Sequence, residues 1–251
     1  MDKLLGYARV LLVSACFMTT QGYASGGGAE LAAADIDPDN VNSLQRGAAN
    51  FMNYCSGCHS ARYVRYNTIG RDLDLSEEML VDNLMFNAEK TFETIQVSMP
   101  PAAAARWFGV APPDLSLMAR AKGADHIYNF LKGYYVDKES PTGVDNLVLP
   151  GTSMPHVLWE LQGYQAADFV THQNEDGSDT TTFEGFRQVT AGRMDSEDYD
   201  EFVRDTVNFL AYIAEPVRGF RVNLGKWVII YLIFFLLIAR MLKKQIWKDV
   251  K

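Results

Sequence analysis

Cys55-Ser56-Gly57-Cys58-His59 decides how this chain is read. A C-x-x-C-H run is the attachment signature of a covalently bound c-type haem. Two thiols three residues apart on one turn can add across the two vinyl groups of a single porphyrin, and the histidine that follows presents an imidazole to the iron from the same side. The run therefore predicts one haem c, linked through Cys55 and Cys58, with His59 as an axial iron ligand. C-x-x-C alone also serves thioredoxin-like redox sites and half of many zinc sites. The third cysteine, Cys16, lies in a leader segment, so a cysteine-rich zinc site is not completed. A second C-x-x-C-H is absent from the sequence, and one haem is expected.

Toward the N-terminus, Lys3 and Arg9 precede an apolar run from Val10 to Phe17, and Gly22-Tyr23-Ala24 offers small residues at a cleavage point. Residues 1–24 read as a secretory signal peptide, with a membrane-anchored N-terminus as the alternative. Export is what haem attachment to C-x-x-C-H requires in bacteria. Toward the C-terminus, Leu224 to Leu242 is apolar and its centre, Trp227 to Ala239, is uncharged. That length crosses a bilayer as a helix, a buried core helix being the alternative. Arg240, Lys243, Lys244, Lys248 and Lys251 follow, and Trp227, Tyr231 and Trp247 lie near the ends. The positive-inside rule then leaves residues 243–251 in the cytoplasm and the haem domain, residues 25–223, in the periplasm beside the inner membrane.

The net charge is −8, of which the first 24 residues contribute +1 and the last 26 contribute +5, so residues 25–225 carry −14. An acidic exported domain excludes nucleic acid as a partner class and suits attraction of a basic protein, although acidity also serves solubility. Along that domain, a helix is expected from Asn42 or Ser43 to the haem run, with Leu44, Gly47, Ala48, Phe51 and Tyr54 near one face. Another is expected after Ser76, where Glu77 and Glu78 suit the positive end. Residues 98–101 and 111–114 read as proline-punctuated loops, 124–135 as helix, 137–155 as loop and 173–182 as an exposed excursion. The last soluble helix, 196–214, sets Tyr199, Phe202, Val203, Thr206, Phe209, Leu210 and Ile213 along one face, and Pro216 ends it. It can cross the first helix at Gly47, with Phe209 or Tyr212 filling the contact.

The second axial ligand sets what the iron does, because methionine raises the potential and favours electron transfer. Met52, Met79, Met85 and Met118 lie in stretches read as helix or packing surface. Met99 and Met154 lie in loops directly before proline, which restrains a residue to an extended conformation suited to aiming one side chain. Met154 is favoured by its distance along the chain. Met99 stays open, as do His126, His156 and His172, with His156 the foremost histidine.

The blocks Cys55 to Ser60, Trp107-Phe-Gly-Val-Ala-Pro-Pro-Asp-Leu-Ser-Leu117 and Met154-Pro-His-Val-Leu-Trp-Glu-Leu-Gln-Gly163, with one C-terminal anchor, closely resemble the cytochrome c1 family in its proteobacterial form. The resemblance spans nearly the whole mature chain. It implies an all-α fold, a class I cytochrome c-like haem domain with loop insertions and an edge-exposed haem, plus one transmembrane helix. It implies Met154 as the distal ligand, Pro112 and Pro113 packed on the porphyrin, Arg120 on a haem propionate and Tyr128 as a second propionate partner. It further implies one-electron transfer within a dimeric cytochrome bc1 complex, with cytochrome b and the Rieske iron–sulfur protein as partners and a mobile cytochrome c as acceptor. Catalysis then belongs to the assembled complex, not to this subunit alone. The sequence lacks the long acidic segment of the mitochondrial pattern. An independent membrane-anchored cytochrome serving an oxidase or reductase would need the same haem and helix without residues 111–117, and a haem sensor or peroxidase-like enzyme would need an exchangeable sixth position.

Overall fold

The computed structural model describes residues 31–173 and 179–249, so the signal peptide expected at 1–24 lies outside the described residues. Two helices organise the rest. Helix α1, Val41–Tyr54, starts where Asn40 accepts a hydrogen bond from the Ser43 N–H, two or three residues before the cap expected from sequence. Further along come β1 (Ala61–Arg65), α2 (Tyr66–Asp72), α3 (Glu77–Leu84), β2 (Thr94–Ile95), α4 (Pro101–Phe108), α5 (Met118–Lys122) and α6 (Ala124–Lys132). Then follow β3 (Tyr134–Val136), β4 (Val144–Asn146), α7 (Trp159–Gln162), β5 (Gly163–Gln173), β6 (Asp179–Ala191), α8 (Ser196–Ala214) and α9 (Arg218–Ile246).

Helix α8 has the bounds the sequence implied, because Asp195 accepts from the N–H groups of Glu197 and Asp198 at its start and Pro216 stops it. It crosses α1 at Gly47. A Cβ at Gly47 would stand 2.0 Å from the Asp205 carbonyl oxygen and 2.7 Å from Phe209 Cβ, so only a hydrogen lets the backbones meet. Phe51 and Phe209 fill the same crossing with ring centroids 5.7 Å apart. The seam also holds a charge. Asp205 is buried, but Ser43 Oγ donates to it at 2.6 Å and the Arg46 guanidinium reaches both of its oxygens, while Asn208 donates to Ser43 at 2.9 Å. A buried carboxylate satisfied this way fixes register as well as distance.

Helix α6 joins the pair through α8. Tyr199 donates its hydroxyl to the Leu131 carbonyl at 3.0 Å, and Asp200 gathers Tyr128, Lys132 and Arg204. Helix α6 stops at Lys132 rather than running to Tyr135, because β3 leaves at once to pair with β4.

The all-α expectation is corrected. Three two-stranded antiparallel ladders are present among the described residues, and β5–β6 is a ribbon from Gly163–Ala191 at its root to Gln173–Asp179. Its root is held by Gln165, whose side-chain amide donates to the Lys132 and Tyr134 carbonyls at 2.8 and 2.7 Å. Along its length Phe169, Phe183 and Phe186 follow one another ring to ring at 5.9 and 4.7 Å. Most of the ribbon is exposed on both faces, so its residues never show the apolar/polar alternation that marks a half-buried strand. A second difference is at Pro101, expected to close a loop over 98–101: it opens α4 instead, at the first helical position, where its missing N–H is harmless.

Substitution of Gly47 by alanine is expected to cost roughly 1–3 kcal/mol through overpacking, read as a lowered denaturant midpoint of the haem-loaded protein, whereas Gly185→Ala on β6, where no atom lies within 4 Å, is expected to leave it unchanged.

Candidate haem site

The C-x-x-C-H run folds as one tight turn off the end of α1. The Cys55 carbonyl accepts from Cys58 N–H at 3.1 Å and His59 N–H at 2.8 Å, so both thiols and the imidazole leave a single loop of backbone. Ser56 donates to the Met52 carbonyl at 2.7 Å and ties the turn back to α1. Cys55 and Cys58 are unpaired and half-buried, and burial raises the Cys55 thiol to about 12.

His59 is buried, and its Nδ1 lies 2.7 Å from the Pro113 carbonyl. A proline carbonyl can only accept, so Nδ1 carries the proton and Nε2 keeps the lone pair, the tautomer a metal-binding histidine needs. Burial lowers the imidazole pKa, with the Pro113 carbonyl and the Asp114 charge opposing that shift.

Pro113 is placed by the residue after it. Asp114 accepts from Ser60 Oγ at 2.7 Å, Arg62 N–H at 2.9 Å, Arg62 Nε at 3.2 Å and Ser116 N–H at 3.0 Å, while Leu115 N–H donates to the Ser60 carbonyl at 2.8 Å. These bonds staple the Ala111–Ser116 loop onto the strand that follows His59. Burial alone would raise the Asp114 carboxyl, yet the donors from Arg62, Ser116 and Ser60 prevail and hold it at about 2. Sequence reasoning had the block but not this role; the signal was a serine directly after the histidine and an aspartate directly after the proline pair.

Pro112 is half-buried beside Pro113, and Met154 is half-buried in its loop. Tyr134 braces that loop twice: its hydroxyl donates to the Met154 carbonyl at 3.1 Å, and its ring stacks on His156 at 4.8 Å and 8°. His156 is buried, its pKa driven down to about 4 by burial, and its Nε2 has no hydrogen-bond partner among the described residues. Met52 and Met85 are core residues, Met79 is exposed, and Met99 is half-buried just ahead of α4. His172 is exposed on the ribbon and His126 half-buried on α6. Arg120 is exposed on α5, its guanidinium without a partner among the described residues. Tyr128 is not open in this way, since its hydroxyl donates to Asp200 and accepts from Lys132 at 2.9 Å.

Over residues 38–250 the sequence matches the family model described as the Cytochrome C1 family. The chain belongs to the cytochrome c1 family. It is 44% identical to a cytochrome c1 of Allochromatium vinosum, over 90% of this chain and 92% of that one. It is 36% identical to a protein of Nitrosomonas europaea named ammonia monooxygenase gamma subunit, over 96% and 98%, and 29% identical to a cytochrome c1 of Rhodospirillum rubrum, over 83% and 82%. Membership in the cytochrome c1 family implies a covalently bound haem c, and the turn fits one: two free thiols and a lone-pair nitrogen leave one loop, and the ring carrying that nitrogen is fixed from behind.

A carboxyl held near 2 when folded, against 3.8 ordinarily, stabilises above about pH 4, and that stabilisation fades as pH falls toward about 2. Asp114→Asn is expected to remove this pH-dependent part, about 2 kcal/mol, so that between about pH 6 and about pH 2 wild type loses more stability than the variant in denaturant titrations.

Proposed function

We propose that this chain is the haem-bearing electron-transfer subunit of a cytochrome bc1 complex. Residues 1–24 act as its signal peptide, residues 25–223 form the periplasmic haem domain, residues 224–242 cross the inner membrane and residues 243–251 stay in the cytoplasm. The observation that carries the reading is the bond from His59 to Pro113, since it joins the haem-attachment run to the block that distinguishes this family from other C-x-x-C-H proteins. The second support is α9, the one helix among the described residues long and apolar enough to cross a membrane, none of it buried by the rest of the chain.

In this reading Cys55 and Cys58 would hold the group covalently, and His59 Nε2 and the Met154 sulfur would bind its iron. A haem held there supplies reversible one-electron iron chemistry. The chain's own residues do the rest. Pro113 and Asp114 orient His59, Pro112 and Pro113 give a rigid apolar wall that keeps water away, and Arg120 offers a free guanidinium for a propionate. Tyr134 holds the backbone of Met154. We place Tyr128 outside this set, because its hydroxyl is already committed to the Asp200 network. Electrons would arrive from the Rieske iron–sulfur protein and leave to a mobile cytochrome c, with cytochrome b beside α9 and the whole complex dimeric.

Met154→Ala is expected to abolish the long-wavelength methionine-to-iron(III) absorption band and lower the midpoint potential, while Met99→Ala and His156→Gln keep the band; its survival in Met154→Ala would remove the ligand assignment. Gentle solubilisation and capture of the full chain is expected to recover a cytochrome b and an iron–sulfur protein, and recovery of the chain alone would leave an independent anchored carrier instead.

A further inference from the structure

Where α9 leaves the soluble domain, the chain forms an open cleft of about 550 Å³ lined by Ile36, Asp39, Arg218, Phe220, Val222 and Lys226 among others. Its charges are unusual in what they do not do. Arg221, next to the cleft, is paired with Glu215 at 2.5 Å, but Arg218, Lys226 and Asp39 line the cleft without an ion pair to one another or to any other described residue. Two cations and one carboxylate therefore share a concave surface and stand too far apart to neutralise each other directly. Asp39 is held at one side, against the first turn of α9. A Cβ on Gly219 would lie 2.6 Å from Asp39 Oδ1, which places the carboxylate against the α9 backbone there.

The cleft's surroundings decide what can fill it. It ends at Lys226, and Trp227, 66% exposed, opens the uncharged apolar span. A tryptophan and a lysine at that point mark the level of the phospholipid headgroups. Ile36, Phe220 and Val222 add apolar wall, and below them Leu224, Val228 and Tyr231 expose the flank of α9 along which acyl chains can lie. A simple anion would satisfy Arg218 and Lys226 but meet repulsion from Asp39. A zwitterion carrying a phosphate and a primary ammonium satisfies all three.

We propose that this cleft is a binding site for a phospholipid with an amine headgroup, phosphatidylethanolamine, the phosphate lying between Arg218 and Lys226 and the ammonium against Asp39. The proposal rests on the reading of α9 as a membrane span. It assigns the cleft two separable functions: retention through the cations, and selection of headgroup through the carboxylate.

The test uses the haem-loaded full chain extracted from its membranes in mild detergent, exchanged into micelles containing equal phosphatidylethanolamine and phosphatidylglycerol, and washed. Retained lipid per haem is then read by mass spectrometry. Wild type is expected to keep phosphatidylethanolamine in preference. Arg218→Gln with Lys226→Gln is expected to lower its retention about tenfold, and Asp39→Asn to erase the preference over phosphatidylglycerol while keeping total lipid within about twofold. None of these residues lies in the haem site, so an unchanged haem spectrum certifies folding in each variant. Equal retention of the two lipids by wild type, or retention indifferent to the paired glutamine substitutions, overturns the proposal. Release of the chain from membranes by an alkaline wash would remove the anchor, and the lipid site with it.

Discussion

The constraint on which the architecture depends is the contact of two backbones at Gly47. Helices α1 and α8 approach until a single hydrogen separates the Gly47 Cα from the Asp205 carbonyl, a distance no other residue permits. Everything that carries chemistry is hung from this crossing. The haem turn is the direct continuation of α1, tied back to it through Ser56 and Met52, and the membrane helix is nearly the continuation of α8. Between them, Asp205 does for register what Gly47 does for distance, because sliding one helix along the other would strand a carboxylate among apolar neighbours.

The Ala111–Ser116 loop is a second device of the same kind at smaller scale. Its proline carbonyl meets His59, and its aspartate meets the residues just beyond His59. A rigid loop fastened at two points leaves the imidazole one tautomer and one orientation. This explains why that block is more telling than the cysteines: C-x-x-C-H attaches a porphyrin in many proteins, whereas the fastening is a particular solution to holding its ligand.

What could be read in advance follows from how each segment meets water. Helix α8 was legible to its ends, since it has one buried face, an aspartate cap and a terminal proline, and the apolar span was legible because the unbroken apolar run Trp227 to Ala239 is followed by a basic tail. The β5–β6 ribbon was not, because with both faces wet its threonines and glutamines follow no period. Tyr134 escaped notice for the opposite reason. It reads as one aromatic among many in a helical stretch, and its importance comes from a carbonyl 20 residues away. The ligand residues themselves declare their chemistry by type; their supports do not, since a serine or tyrosine acquires a task only from what the fold brings beside it.

The junction between α8 and α9 is three residues long, Glu215 to Val217, and it is clasped by Arg221 on Glu215 and by the Arg218 N–H on the Glu215 carbonyl at 3.1 Å. A domain joined so tightly has no reach. A carrier on a long flexible tether searches a hemisphere and trades encounters for slack, but a three-residue junction keeps this domain beside the start of α9. Whatever exchanges electrons with it must supply the travel, so the rate of that traffic is a property of its visitors.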